Sequence, residues 1–298
     1  MRVAVVRLMT AIIPPGACDK TACVPSDWQA GLTPEKTAAL RGGFGADAAV
    51  YQRTRPVCPP VLFDDLMRLA GLAPGDRVLE IAPGTGQATV PLAMRGLAVT
   101  AVELDPALAA LTRTRLAPFP AADVVTSSFE DWPPPDGVQW DAVVVANALH
   151  WIDPAVRFAK PAALLRPGGA FAVLSCQWAR PATAHPFWAA VQQDYAAAGF
   201  RGSPPPPPEE TEPWHFPPPH EAAGFTEVAT ARYPFELTYP PGDYLAQLAT
   251  QAGTRELGPA GAADFLDRVR RRLDEFGSPP LTATFVACLT VGLVGWNT

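Results

Sequence analysis

Residues 78–106 read VLEIAPGTGQATVPLAMRGLAVTAVELDP. An apolar run, Val78-Leu79-Glu80-Ile81, stops at a turn of small residues, Ala82-Pro83-Gly84-Thr85-Gly86. A second apolar run, Val99-Thr100-Ala101-Val102, ends on an acid, Glu103. The pattern predicts a strand, a glycine turn, a helix and a second strand with a carboxylate at its tip. Glycines let a ligand approach the backbone where the helix begins, and an acid at the end of the second strand can accept hydrogen bonds from a ribose diol. Such a unit predicts a nucleoside site.

Two details narrow the nucleoside. A dinucleotide fingerprint has a third glycine three residues after the second, to pack helix on strand around a pyrophosphate. Here Gly86 is followed by Gln87, Ala88 and Thr89, which counts against a nicotinamide dehydrogenase. An acid, Glu80, stands two residues before the turn, where a pyrophosphate would be repelled and a ligand bearing an ammonium group would be attracted. The run from Glu80 to Gly86 resembles motif I of the class I S-adenosyl-L-methionine (SAM) dependent methyltransferases. Ala82 departs from the glycine usual at that place, so a positive φ there would strain it.

Further along, apolar runs at 78–82, 99–103, 122–127, 141–146 and 170–176 alternate with helical patterns, as in a parallel sheet buried on both faces. Val61, Leu62, Leu66 and Leu69 have helical spacing, and Asp105-Pro106 and Asp153-Pro154 place a capping acid before a first-turn proline. Pro91 predicts a bend in the helix after the glycine turn. Residues 226–239 and 281–294 supply two late strands, with helices around Tyr244 and from Phe265 to Phe276 between them. Together with the resemblance, the fold expected is α/β, a doubly wound Rossmann-like sheet of seven strands, mostly parallel with the last strands antiparallel, and an inserted cap. The expected organisation is an N-terminal extension (1–40), the SAM-binding core (41–176), a cap rich in Pro and Trp (177–225) and C-terminal strands with cap helices (226–298).

More of the chain extends the resemblance in order. Residues 44–60, FGADAAVYQRTRPVCPP, resemble the stretch before motif I in a small-molecule subgroup, which implies that Tyr51 and Arg55 lie over the methionyl end of the cofactor; Cys58 replaces a usual tyrosine. Ser128 and Phe129 match the adenine-binding positions after the third strand. Residues 141–153, DAVVVANALHWID, match the fourth strand and the loop beneath the sulfonium, and LLRPGG at 164–169 matches the turn into the fifth. The resemblance thus implies SAM as cofactor, S-adenosyl-L-homocysteine (SAH) as product, and a cofactor site of Tyr51, Arg55, Glu80, Ala82, Gly84, Thr85, Gly86, Gln87, Glu103, Leu104, Ser128, Phe129, Asn147 and His150.

Methyl transfer is an in-line displacement that needs alignment and exclusion of water, and a general base only where the nucleophile is still protonated. His150, just past the fourth strand, is the candidate base. Its pairing with Trp151 in the resembled subgroup gives an equal claim to a pocket-shaping role. Trp151, Trp178, Trp188 and Trp214 are candidates for an aromatic acceptor pocket, with ordinary core packing the alternative. His185, His215 and His220 show no HxH or HExxH spacing, so no metal site is expected. The run PPPPP at 204–208 is a polyproline helix that serves either as a stiff connector in the cap or as an SH3-type ligand.

Formal net charge is −6, and Arg270-Arg271-Arg272 is the one basic run, set among acids, so no nucleic-acid footprint is present. The five scattered cysteines lack a CxxC pair and suit a reduced, cytoplasmic chain. The apolar N-terminal run, broken by Arg7, is too short to span a bilayer. The expectation is a SAM-dependent methyltransferase of secondary metabolism acting on a small organic acceptor, monomeric or homodimeric, without membrane or nucleic-acid partners. O-methylation is the default, with N- and C-methylation open; the alternative is a SAM-binding enzyme of the same fold that catalyses a non-methylating reaction such as a cyclisation.

Overall fold

The computed structural model describes residues 11–13, 40–180, 185–200, 204–218 and 221–295. The rest of the expected N-terminal extension, and His220, lie outside the described residues. Five parallel strands form the centre: β2 (Arg77–Ile81), β3 (Ala98–Glu103), β4 (Ala122–Thr126), β5 (Trp140–Ala146) and β6 (Leu165–Ala179). Two long strands, β7 (Phe225–Tyr239) and β8 (Leu281–Val294), complete the expected seven, with β8 antiparallel to both β6 and β7. A short strand, β1 (Ala11–Ile13), adds an eighth by pairing antiparallel with β7, Ala11 opposite Arg232 and Ile13 opposite Thr230. The order across the sheet is β1-β7-β8-β6-β5-β2-β3-β4, so after β4 the chain jumps back across β3 and β2 to β5. That reversal opens a crevice at the carboxyl ends of β2 and β5, where ligands bind in open α/β sheets.

Alternation explains why both faces are covered. Val78, Val99, Ala101, Ala142, Val144, Ala170 and Ala172 enter one apolar cluster. Their neighbours Leu79, Val102, Val143, Val145, Phe171 and Val173 enter another on the opposite face. Successive strand side chains point to opposite faces, so two apolar neighbours need two covering layers. The described helices supply these: α1 (Ala48–Thr54), α2 (Pro60–Leu69), α3 (Thr89–Ala93), α4 (Pro106–Leu116), α5 (Ala159–Leu164), α6 (Pro186–Ala197), α7 (Pro241–Ala249), α8 (Ala252–Glu256) and α9 (Gly258–Glu275).

Three local expectations are corrected. Pro91 does not interrupt the short helix α3: the amides on either side of it, Val90 and Leu92, donate to the carbonyls of Gly86 at 3.2 Å and Ala88 at 3.1 Å, so the helical pattern continues across the ring. Val61 is 42% exposed, because the buried stripe of α2 is Leu62, Phe63 and Leu66. Asp153 caps the amide of Ala155 at 2.8 Å, yet turns occupy 154–158 and α5 starts only at Ala159. The Asp105 cap holds as expected, its Oδ1 accepting from the amides of Ala107 at 2.8 Å and Leu108 at 3.1 Å.

Candidate functional site

The turn between β2 and α3 is built to bring backbone to a surface. Ala82 has φ 52° and Gly84 φ 62°, so the chain doubles back immediately after Ile81. A Cβ on Gly84 would lie 3.7 Å from Gln87 Oε1 and 3.8 Å from Tyr51 Cε1, which shows the turn running beneath the Tyr51 ring. Helix α4 braces the turn from below: Thr112 Oγ1 donates to the Gly84 carbonyl at 2.8 Å, and Arg115 donates to that of Thr85.

Glu103, at the tip of β3, is 4% exposed and lines the resulting cleft. The Gly84 amide donates to its Oε2 at 2.9 Å and the Asp105 amide to its Oε1 at 2.9 Å. Burial raises its pKa, and the amides of Asp105 and Gly84 act against that rise. Each oxygen keeps a lone pair for a further donor, as a ribose diol requires.

Glu80 is different. It is fully buried behind the turn, and neither carboxylate oxygen makes a well-formed hydrogen bond. Burial pushes its pKa up to about 8; the nearby Thr89 hydroxyl opposes the rise and the charge of Glu103 adds to it. Gln87, on the cleft wall, has a buried Nε2 without a partner. Orphaned donors and acceptors concentrated around one turn are what a site leaves for a ligand to satisfy.

The cleft has a volume of about 1330 Å³ and draws together Tyr51, Arg55, Ala82, Gly84, Gln87, Glu103, Leu104, Phe129, Asn147, His150, Trp151 and Trp178. Glu80, Thr85, Gly86, Ser128, Trp188 and Trp214 are not on its lining. The Ser128 hydroxyl is spent on Asp131, donating to Oδ2 at 2.7 Å. Trp214 stacks on Phe158 with ring centroids 6.0 Å apart, and Trp188 packs edge-on against Tyr244 at 5.6 Å. The polyproline run is half-buried and joins the cleft wall through Pro204 and Pro206, with the Arg180 amide donating to the Pro206 carbonyl at 2.7 Å.

At the other strand tip, Asn147 has φ 53°, and its Oδ1 accepts from the Cys176 amide at 2.7 Å, tying the end of β5 to β6. His150 follows, its ring tilted against Trp151 with centroids 5.1 Å apart. Enclosure by protein, and then the charge of Arg157, push its pKa down to about 4. The side chain is open to the cleft, whose water offsets part of that enclosure, yet the repulsion from Arg157 acts in the same direction. A neutral imidazole at neutral pH is the consequence.

A strap at 41–55 closes the cleft from above. Arg41 makes a two-pronged ion pair with Glu130 at 2.9 and 2.7 Å, the Gly45 amide donates to Asp105 Oδ2 at 3.2 Å, and Arg55 donates to the Thr250 carbonyl at 2.8 Å. The Arg55 guanidinium sits 4.8 Å from the centroid of the Tyr51 ring. Arg41, Phe44, Phe200, Gln247, Gln251 and Phe285 also line the cleft. Sequence reading missed them; only Phe285 carried a readable signal, as an aromatic residue on an apolar strand, and it pairs in register with Trp178.

Among the described residues, no helix is long and apolar enough to cross a membrane. Residues 78–169 match a family described as a methyltransferase domain. An uncharacterized methyltransferase of Mycobacterium tuberculosis is 39% identical over 126 residues, 42% of this chain and 49% of that protein. A demethylmenaquinone methyltransferase of Tropheryma whipplei is 30% identical over 150 residues, 49% of this chain and 61% of that protein. The chain thus spans about half the length of the first of these relatives. Among solved structures, one described as a type II methyltransferase of Anaeromyxobacter dehalogenans superposes with a TM-score of 0.59 at 23% identity, covering 81% of this chain and 98% of that one. Residues 78–169, which build the floor of the cleft, are thus similar to a methyltransferase domain, and the sheet that carries them shares the fold of that solved structure.

Proposed function

We propose that the chain is a SAM-dependent methyltransferase that transfers a methyl group to a small organic acceptor, with O-methylation as the default reaction. The observation that carries this reading is the pairing of Glu103 with the glycine turn: one carboxylate faces the cleft while the amide of Gly84 fixes its orientation at 2.9 Å. Residues present fit the cofactor. Glu103 would hold the ribose, Leu104 and Phe129 the adenine, and the turn from Ala82 to Gly84 with Gln87, Tyr51 and Arg55 the methionyl end. Glu80 would act from behind the turn, as a buried carboxyl that favours a nearby ammonium.

When bound, SAM supplies a methyl group on a sulfonium, already activated for displacement. The chain's own residues orient the partners and keep water out. Tyr51 and Arg55 cover the turn, and Asn147 fixes the loop that carries His150. His150, neutral at neutral pH, lines the cleft beside Trp151 and would accept the proton of an acceptor hydroxyl in O-methylation, as a weak base given its lowered pKa. The cleft also exceeds the roughly 300–1,000 Å³ usual for one small ligand, which leaves room for an acceptor beside the cofactor.

Isothermal titration with SAH and with NAD tests the cofactor; SAH binding with NAD inert is expected, and the reverse would overturn the reading. Incubation with methyl-labelled SAM and a panel of hydroxylated acceptors then tests transfer, and a verified product without label would point to the non-methylating alternative.

A further inference from the structure

Beyond the nucleoside end, the cleft changes character. Trp178, from the end of β6, faces Phe285 of β8 with ring centroids 4.5 Å apart. Phe200 closes the opposite side, packed so tightly on Gly253 that a Cβ there would lie 3.1 Å from Phe200 Cε1. The polar groups at this end are the two carboxamides of Gln247 and Gln251, the latter donating to the former at 3.0 Å. Charged side chains are few in the cleft: Glu103, held by two amides, and Arg55, bonded to the Thr250 carbonyl, belong to the nucleoside end, and Glu256 has an interaction of its own.

An ammonium or phosphate lodged between the aromatic rings and the neutral carboxamides would be buried without a paired counter-charge, at a cost of several kcal/mol. Flat apolar rings, by contrast, meet three aromatic side chains at stacking range. The carboxamide pair offers both a donor and an acceptor, which matches a hydroxyl or carbonyl group and discriminates against a bare hydrocarbon. We infer that this end of the cleft is the acceptor subsite and that it takes an uncharged, ring-bearing molecule with a hydroxyl or carbonyl group, oriented by Gln247 and Gln251. The inference rests on the methyltransferase reading and specifies its substrate class.

The test is titration of 2-naphthol into the protein with and without saturating SAH, beside sarcosine and phosphoethanolamine as charged probes. Expected is 2-naphthol binding with a Kd below about 1 mM in both states, and no binding of the charged probes. Gly253→Ala, which drives Phe200 toward the cleft, weakens 2-naphthol about tenfold and leaves SAH affinity unchanged. Gln251→Leu, which leaves the apolar walls intact, weakens it similarly. Failure of 2-naphthol to bind, equal binding in both variants, or preference for either charged probe overturns the assignment. Loss of SAH binding with 2-naphthol retained would instead overturn the methyltransferase reading and leave the aromatic subsite standing.

Discussion

Ala82 is the residue where the local backbone and the site disagree. Its φ of 52° lies in the left-handed region, which costs an L-residue about 1–2 kcal/mol. Replacing it by glycine removes that strain, while the added freedom of the unfolded chain takes back about 0.4–1 kcal/mol. Ala82→Gly is therefore expected to stabilise the fold by about 0.5–1 kcal/mol, read as a raised denaturant midpoint with an unchanged slope. Glu80, two residues earlier, makes stability depend on pH. Its folded pKa, raised from 4.5 to about 8 by burial, means that the native state binds more protons than the unfolded one between those values. Its contribution is thus full below about pH 4.5 and is lost as pH rises through 8, with a slope of at most about 1.4 kcal/mol per pH unit. Glu80→Gln, neutral throughout, should flatten that decline, and denaturation midpoints measured from pH 5 to 9 for both proteins will show it.

At the level of elements, one of the strap's contacts with the core is crowded. A Cβ on Gly45 would lie 2.1 Å from Asp105 Oδ1, the same oxygen that caps α4. Gly45→Ala must therefore either lift the strap or break the cap, a loss of about 1–2 kcal/mol. Expected are a lower denaturation midpoint and weaker SAH binding, measured by titration calorimetry, because Tyr51 and Arg55 ride on the displaced segment. The contrast between these two partners shows what the sequence could disclose. The cap of α4 is local, an acid acting two and three residues on, and was readable; so were the glycine turn, Glu103, and the apolar runs of the sheet. The strap was readable only by resemblance, since Arg41 meets Glu130 across 89 positions. Gly199, Phe200, Pro204 and Pro206, like residues 247–257, reach the cleft only through the path of the whole chain, and no short-range pattern marks them. Trp188 and Trp214 mislead for a related reason: an aromatic residue near a site looks the same in sequence whether it faces ligand or core.

The whole molecule brings these pieces to one place. β2, β3 and β5 end on one side of the crevice, the strap crosses above, and α7 and α8 close the outer end, with Arg55 of the strap bonded to the Thr250 carbonyl between those two helices. A ligand that fills the cleft therefore couples regions that the chain itself joins by few bonds. Binding to the native state alone stabilises it by RT ln(1 + [L]/Kd), about 2.7 kcal/mol at a hundredfold excess over Kd. The distribution of that stabilisation is the informative quantity. If the strap belongs to the cofactor site, SAH should slow amide hydrogen exchange not only in residues 82–90 and 103–108 but also in 44–55. The β7–β8 pair away from the cleft should exchange at its former rate, since its long antiparallel ladder is complete without ligand. Hydrogen exchange followed by mass spectrometry, with and without SAH, resolves these segments. Protection confined to the glycine turn would mean that the strap is packing alone and that the cofactor site ends at Glu103.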